Sequence, residues 1–166
     1  MTRIMDESEI RLDRMRFVKN TSSSRLCYLA ILLNVLYFVS IYKSDVGSWY
    51  YQILVGGSIV YNLLFMLITF LCSEGVKSYQ KKYTRVLYVL GALQVCRIFI
   101  LPMRAHDATV KLSGADTVVM QTPQFIRVIV YLAGSAVCLL IAAVINQRKC
   151  RALEEHAKTL NAKEAA

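Results

Sequence analysis

Four long stretches of the chain are almost free of charged side chains, and this pattern limits what the chain can fold into. Residues 26–42, 46–73 and 128–147 carry no charge, and residues 86–103 carry one, on Arg97. A bilayer core needs about 20 apolar helical residues, within a range of roughly 17–25. Each stretch therefore predicts one transmembrane helix, and we place the four spans at residues 26–42, 53–72, 86–103 and 125–145.

A soluble four-helix bundle is the main alternative fold, and each of its helices would need a broad polar stripe. The composition argues against it, because 56% of the residues are hydrophobic and 19% are charged, whereas soluble domains are about 25% charged. The sequence thus predicts an all-α integral membrane protein, built as an antiparallel four-helix transmembrane bundle. The first two spans offer only five strongly polar side chains: Asn34, Ser40, Ser58, Asn62 and Thr69.

The distribution of basic residues predicts the orientation of the bundle. Fifteen of the twenty Lys and Arg residues fall in the N-terminal segment 1–25, the loop 73–85 or the tail 146–166, and four fall in the opposite loops. Since cytoplasmic loops carry the excess of Lys and Arg, we expect both termini in the cytoplasm, in a plasma or inner membrane. The same topology accounts for the net charge of +9, so no nucleic-acid partner is expected.

The segments outside the spans carry two further predictions. In the second outer loop, two β-prone runs flank a Ser-Gly-Ala-Asp turn at residues 113–116, a pattern typical of a β-hairpin. An isolated hairpin is marginally stable, so an irregular loop is an equal alternative. The tail 146–166 is rich in helix-forming residues, which predicts a cytoplasmic continuation of the fourth helix. A docking helix for a cytosolic partner is the second interpretation of the tail.

A candidate intramembrane site follows from the polar residues near the middle of each span. Asn34, Asn62, Gln94 and Ser135 are expected at similar depths in the membrane. Polar side chains in hydrocarbon bond across helices, with a contribution of about 0.6 kcal/mol on average. One interpretation is therefore that these residues fix the register of the bundle, and the other is that they form a small polar site at the midplane.

Arg97 completes this candidate site, because it follows Gln94 by three residues and so shares its helix face. A charged side chain inside a membrane is costly and is a functional candidate by default. None of the four spans contains Asp or Glu. The sequence leaves three interpretations open: Arg97 extends to the outer interface, pairs with another subunit, or binds an anion or a lipid headgroup.

Small residues mark candidate helix-packing faces, since a small-xxx-small spacing lets two helices approach closely. The sequence does not separate packing within the bundle from packing against another subunit. The candidate packing residues are Gly56, Gly57, Gly91, Gly134, Cys138 and Ala142.

No catalytic, cofactor-binding or metal-binding motif is present in the sequence. We therefore expect a non-catalytic accessory or regulatory subunit of a larger membrane complex such as a transporter, without a cofactor. Its partners would be the lipid bilayer and other membrane subunits or further copies of itself. The alternative is a homo-oligomeric small-solute transporter or channel whose pathway uses Asn34, Asn62, Gln94 and Arg97. A lipid-modifying enzyme is a third and weaker hypothesis.

Overall fold

Four long helices dominate the computed structural model, which describes residues 19–41, 49–100, 102–107, 109–112, 115–118 and 120–164. In chain order, the elements are helices α1 (Thr21–Ile41), α2 (Trp49–Lys77), α3 (Lys81–Ile100) and α4 (Pro102–Asp107), strands β1 (Thr109–Leu112) and β2 (Ala115–Val118), and helix α5 (Thr122–Glu164). The two strands pair antiparallel, with Thr109 opposite Val118 and Leu112 opposite Ala115.

The helices α1, α2, α3 and α5 each contain a segment long and apolar enough to cross a membrane, as the sequence predicts. These four helices indicate an integral membrane protein that crosses the bilayer several times. Each predicted span lies almost entirely within one of them, although positions 102 and 103 of the third span belong to α4. Positions 42 and 101 lie outside the described residues, as do 1–18 of the N-terminal segment, the turn at 113–114 and the last two residues of the tail.

The helix surfaces reverse the usual arrangement of a soluble protein. On α2, the large side chains of Leu63, Leu64 and Leu67 are exposed, whereas Asn62 and Thr69 are fully buried. Hydrocarbon accommodates leucine without cost but does not satisfy an amide or a hydroxyl group. This distribution is therefore the one expected when lipid surrounds the helices.

Hydrogen bonds between α1 and α2 define their relative direction. The hydroxyl groups of Ser24 and Ser73 lie 2.7 Å apart. About ten residues farther along α1 and ten residues earlier in α2, Asn34 Nδ2 donates to Asn62 Oδ1 over 3.0 Å. Since the paired positions rise in one helix while they fall in the other, α1 and α2 run antiparallel.

Helix α5 packs against both α1 and α3. Its Ser135 hydroxyl donates to the backbone carbonyl of Ala30 in α1 and accepts from Gln94 Nε2 in α3, both over 3.2 Å. One end of the contact with α3 is fixed by Asn146 Nδ2, which donates to Thr84 Oγ1 over 2.8 Å. Because α2 also contacts both α1 and α3, the four long helices close into a bundle in which sequential helices are neighbours.

A tight turn joins α2 to α3. The amide of Gln80 donates to the carbonyl of Gly75, and the amide of Tyr79 donates to that of Val76, which is the hydrogen-bond pattern of a Schellman C-cap. Tyr79 occupies the left-handed position of this cap, with a φ of 55°. Gly75 is required for a different reason, since a Cβ atom at this position would overlap the ring of Tyr83.

Candidate functional site

Six polar side chains from all four long helices meet inside the bundle, and we call them the polar cluster. All are buried, with exposed fractions of 0–6%. The structure brings together all five residues of the candidate intramembrane site and adds Ser58 to them. The polar cluster consists of Asn34, Ser58, Asn62, Gln94, Arg97 and Ser135.

The amides and hydroxyl groups of the polar cluster link the helices to one another. Asn34 Nδ2 of α1 donates to Asn62 Oδ1 of α2 over 3.0 Å. Gln94 Nε2 of α3 donates to Asn34 Oδ1 and to Ser135 Oγ of α5, in both cases over 3.2 Å. Because each bond crosses between helices, the cluster fixes the depth of each helix relative to the others.

The guanidinium of Arg97 lies within this cluster, and its side chain is only 5% exposed. Its Nη1 donates to Asn62 Oδ1 over 2.8 Å and to Asn34 Oδ1 over 3.4 Å, and its Nη2 donates to Ser58 Oγ over 2.9 Å. This buried position, with acceptors from the same chain, matches neither extension to the outer interface nor pairing with another subunit.

Two aromatic rings also contact the guanidinium. Its central carbon lies 4.4 Å from the ring centroid of Tyr37 and 4.6 Å from that of Tyr61. A charged residue at the centre of a spanning helix costs about 2.5–3.5 kcal/mol on insertion scales. A desolvated cation over an aromatic ring gains about 2 kcal/mol. The two rings and the oxygen acceptors therefore offset the cost of burying this charge.

Ser58, Tyr37 and Tyr61 are parts of the site that the sequence analysis did not identify. Helical spacing contained the signal for two of them, because Ser58 precedes Asn62 by four residues and Tyr37 follows Asn34 by three. Tyr61 is adjacent to Asn62 in the sequence. Its contact with Arg97 depends on the packing of α2 against α3, which no sequence spacing specifies.

Two buried polar atoms of the cluster lack a hydrogen-bond partner within the described ranges. They are Nδ2 of Asn62 and Oε1 of Gln94, and both residues have no exposed surface. An unsatisfied polar atom in such a position costs about 1–3 kcal/mol. One donor and one acceptor beside a guanidinium are complementary to a water molecule or to a small polar ligand.

Apolar side chains close the polar cluster on both sides along the bundle axis. Towards the Tyr79 turn lies a buried group that includes Cys27, Leu87 and Leu139. Towards the opposite end lies a second group that includes Val128 and Leu132. In α5, Ser135 therefore occupies one polar layer between two apolar ones, with Leu132 and Leu139 one turn away on either side.

The candidate packing residues divide into internal and external positions. A Cβ atom on Gly91 would lie 2.9 Å from Leu140 Cδ2, and one on Gly134 would lie 3.2 Å from Leu33 Cδ1. Ala142 is fully buried and Cys138 is half-buried. Gly56 and Gly57 are exposed instead, and an added Cβ atom would meet none of the described residues within 4 Å.

A second polar group lies at the end of the bundle that contains the Tyr79 turn. Asn20 caps α1, since its Oδ1 accepts from the Ser23 amide over 3.5 Å, and its Nδ2 donates to Asn146 Oδ1 over 3.0 Å. Lys149 Nζ donates to the same Asn20 Oδ1 over 3.1 Å. The sequence predicts Asn146 as the first residue of the cytoplasmic tail, and in the structure its buried side chain bonds to Asn20 and to Thr84 of α3.

No three His, Cys, Asp or Glu side chains are placed to hold a metal ion within the part of the chain that the structure describes. The polar cluster offers hydrogen-bond donors and acceptors around one guanidinium. Comparisons with protein-family models, curated proteins and solved structures find no match to this chain.

Proposed function

We propose that the protein is a non-catalytic accessory or regulatory subunit of a larger membrane complex, such as a transporter. The observation that carries this proposal is that the polar cluster is closed within one chain. Its members bond to one another and are 0–6% exposed, and apolar layers lie on both sides of it. Most hydrogen-bonding groups of the polar cluster are thus used to join the helices, and we infer that a partner subunit binds to the outer surfaces of the bundle.

The exposed pair Gly56 and Gly57 supports an association through α2. A glycine inside a helix costs about 0.8–1.0 kcal/mol relative to alanine, and no described residue lies within 4 Å of a Cβ atom built on either glycine. In a membrane, small residues allow the backbone of another helix to approach closely. We infer that a helix of a partner subunit packs here, and a second copy of this chain is the other candidate.

The far end of α5 supports a contact outside the membrane. An ion pair between Lys81 and Glu154 joins α5 to the start of α3. Helix α5 then continues to Glu164, which adds ten residues and about 15 Å of helix. Glu155 and Lys158 are exposed on this extension, so it is available to a partner.

The proposed orientation places both termini in the cytoplasm, with β1 and β2 on the outer side. Its support is the positive-inside rule applied to the Lys and Arg distribution. The helix pairing is consistent with this orientation, because contacts of Asn20 with Lys149 and of Lys81 with Glu154 gather the basic helix ends at one end of the bundle.

Purification from the native host in a mild detergent tests the accessory role. We expect the tagged protein to elute with a stoichiometric membrane partner. Gly57→Leu should abolish this association without unfolding the bundle, because no described residue lies within 4 Å of its Cβ position. Ala92→Leu, at an exposed small residue of α3, is the matched control and should retain the partner. A monodisperse species without a partner would contradict the proposal.

A small-solute transporter is the second candidate, and the unsatisfied Asn62 Nδ2 and Gln94 Oε1 favour it. Here the polar cluster would hold a solute between Arg97 and these two atoms. Purified protein in liposomes should then show a solute flux that Gln94→Leu or Arg97→Ala abolishes. A flux that is unchanged in both variants would exclude the polar cluster as its pathway.

A further inference from the structure

A cleft lies between the first two turns of α3 and the middle of α5, away from the polar cluster. Its volume is about 260 Å³, several times the roughly 30 Å³ that one water occupies in the liquid. We call it the interfacial cleft, because the candidate span of α3 begins at Lys81 and the cleft therefore lies where that helix enters the membrane. The residues that bear on its chemistry are Lys81, Thr84, Arg85, Tyr88, Gln147 and Arg151.

The charges that line the cleft are predominantly positive. Lys81 forms an ion pair with Glu154 at the edge of the cleft. Arg85 and Arg151 are both exposed, and no carboxylate of the described residues forms an ion pair with either. The amides of the first turn of α3 add a partial positive charge, as at any helix N-terminus. The cleft therefore has a net attraction for an anion.

Neutral polar groups border the cleft on the side that faces the membrane interior. Tyr88 donates from its hydroxyl to Gln147 Oε1 over 2.9 Å, and Thr84 is 6% exposed. The Gln147 amide nitrogen and the Thr84 hydroxyl can then donate to an anion that two arginines hold by charge. Guanidinium groups match the geometry of phosphate oxygens, which they bind in a bidentate manner.

The surface that continues from the cleft towards the membrane is apolar. Val89 lies four residues after Arg85 and is 58% exposed, and Val144 lies three residues before Gln147 and is 38% exposed. Residues at these spacings share a helix face. An acyl chain attached to a phosphate in the cleft would thus have a hydrocarbon surface beside it.

We propose that the interfacial cleft binds a phosphate group, held by Arg85 and Arg151. The exposed valines favour an anionic phospholipid as its source, and basic pockets between spanning helices at the cytoplasmic side are suited to such headgroups. The site does not depend on the accessory role, because a lipid can occupy the cleft whether or not a partner subunit binds the bundle.

Two binding measurements on the full chain test the site and identify the source of the phosphate. In the first, native mass spectrometry counts the phosphatidylglycerol molecules retained by protein from nanodiscs of mixed phosphatidylcholine and phosphatidylglycerol. In the second, inorganic phosphate is titrated into protein in nanodiscs of phosphatidylcholine alone. The test variant is Arg85→Gln with Arg151→Gln, and the control is Arg25→Gln with Arg148→Gln, which removes two exposed charges at the same end of the bundle.

We expect wild-type protein to retain phosphatidylglycerol and the test variant to bind it about thirtyfold more weakly, since each of the two Arg side chains contributes about 1 kcal/mol near the surface. The control should bind as wild type does. If the test variant binds more weakly than the control only in the titration with inorganic phosphate, the site is supported and its ligand is a soluble phosphate. Equal binding by test and control variants in both measurements, whether retained or lost, would overturn the proposal, because the affinity would not reside in the cleft.

Discussion

The guanidinium of Arg97 on α3 donates to the side-chain oxygen of Asn62 on α2 over 2.8 Å, in a part of the bundle where Asn62 has no exposed surface. The same Asn62 oxygen accepts from Asn34 of α1. One amide oxygen thus receives hydrogen bonds from two other helices, and one of the two donors carries a charge. Charge-assisted bonds are stronger than neutral ones. This bond is also shorter than those from Arg97 to Ser58 and Asn34, so we expect it to be among the strongest cross-helix bonds of the polar cluster.

The first prediction concerns the energetic coupling of this pair. Asn62→Leu should lower the free energy of unfolding by about 2 kcal/mol or more, because it removes an acceptor from a buried charge. Asn62→Leu with Arg97→Met should be less destabilised than the sum of the two single variants, with a coupling of about 1–3 kcal/mol. Unfolding by SDS titration in mixed micelles provides the four free energies of the cycle.

Thr69 provides the control for this cycle. It is fully buried on α2, and its hydroxyl donates to the carbonyl of Phe65 in the same helix. Thr69→Val therefore removes a buried polar group that lies outside the polar cluster. Its effect should add to that of Arg97→Met within about 0.5 kcal/mol. If the effects of Asn62→Leu and Arg97→Met add equally well, the Arg97–Asn62 contact has no energetic role.

The second prediction compares two glycines of the same helix. Gly75→Ala should destabilise the protein by about 1–3 kcal/mol, because the new methyl group overlaps the Tyr83 ring. Gly57→Ala should be neutral or stabilising by up to about 1 kcal/mol, since nothing lies within 4 Å of its Cβ position. Thermal unfolding in detergent gives both values, and a stabilised Gly75→Ala variant would show that the α2–α3 turn relaxes without cost.

The positions of the spans could be predicted from the sequence because the bilayer sets both their length and their polarity. The grouping of Gln94 with Arg97 could also be predicted, since three residues along a helix return nearly to the same face. Which face of each helix packs inside the bundle was harder to predict. In α2 the apolar residues surround the helix, so only polar positions such as Asn62 distinguish the interior from the lipid side.

The packing residues show the same limit of sequence analysis. Gly57 and Gly91 have similar neighbours in the sequence, yet one is open to the surroundings and the other lies against Leu140. Helix association in a membrane depends on shape rather than on a difference in hydrophobicity. The order of apolar residues in the sequence therefore contains little information about which small residue faces inward. Asn146 lies near the end of the charge-free stretch 128–147, and no spacing in the sequence indicates its hydrogen bonds to Asn20 and Thr84.

The third prediction concerns the orientation in the membrane. Gln121→Cys and Lys158→Cys place thiols at exposed positions near opposite ends of α5. With both termini in the cytoplasm, a membrane-impermeant maleimide should label position 121 in intact cells and position 158 only after permeabilisation. Wild-type protein gives the background, which should be low because Cys27, Cys72 and Cys150 are buried and Cys96 and Cys138 lie within the predicted spans, where the polar reagent does not enter. The reverse labelling pattern would contradict the positive-inside assignment.

The fourth prediction separates the α5 extension from the stability of the bundle. A chain that ends after residue 154 keeps Glu154 and its ion pair with Lys81, and it keeps the buried contacts of Asn146 and Cys150. Its free energy of unfolding should therefore lie within about 0.5 kcal/mol of that of the full chain.

Glu154→Gln in the full chain is the control for the Lys81–Glu154 pair. This pair is half-exposed and should contribute no more than about 1 kcal/mol. A truncated chain that is much less stable than this control would show that residues beyond 154 pack onto the bundle, and the extension would then not be available to a partner.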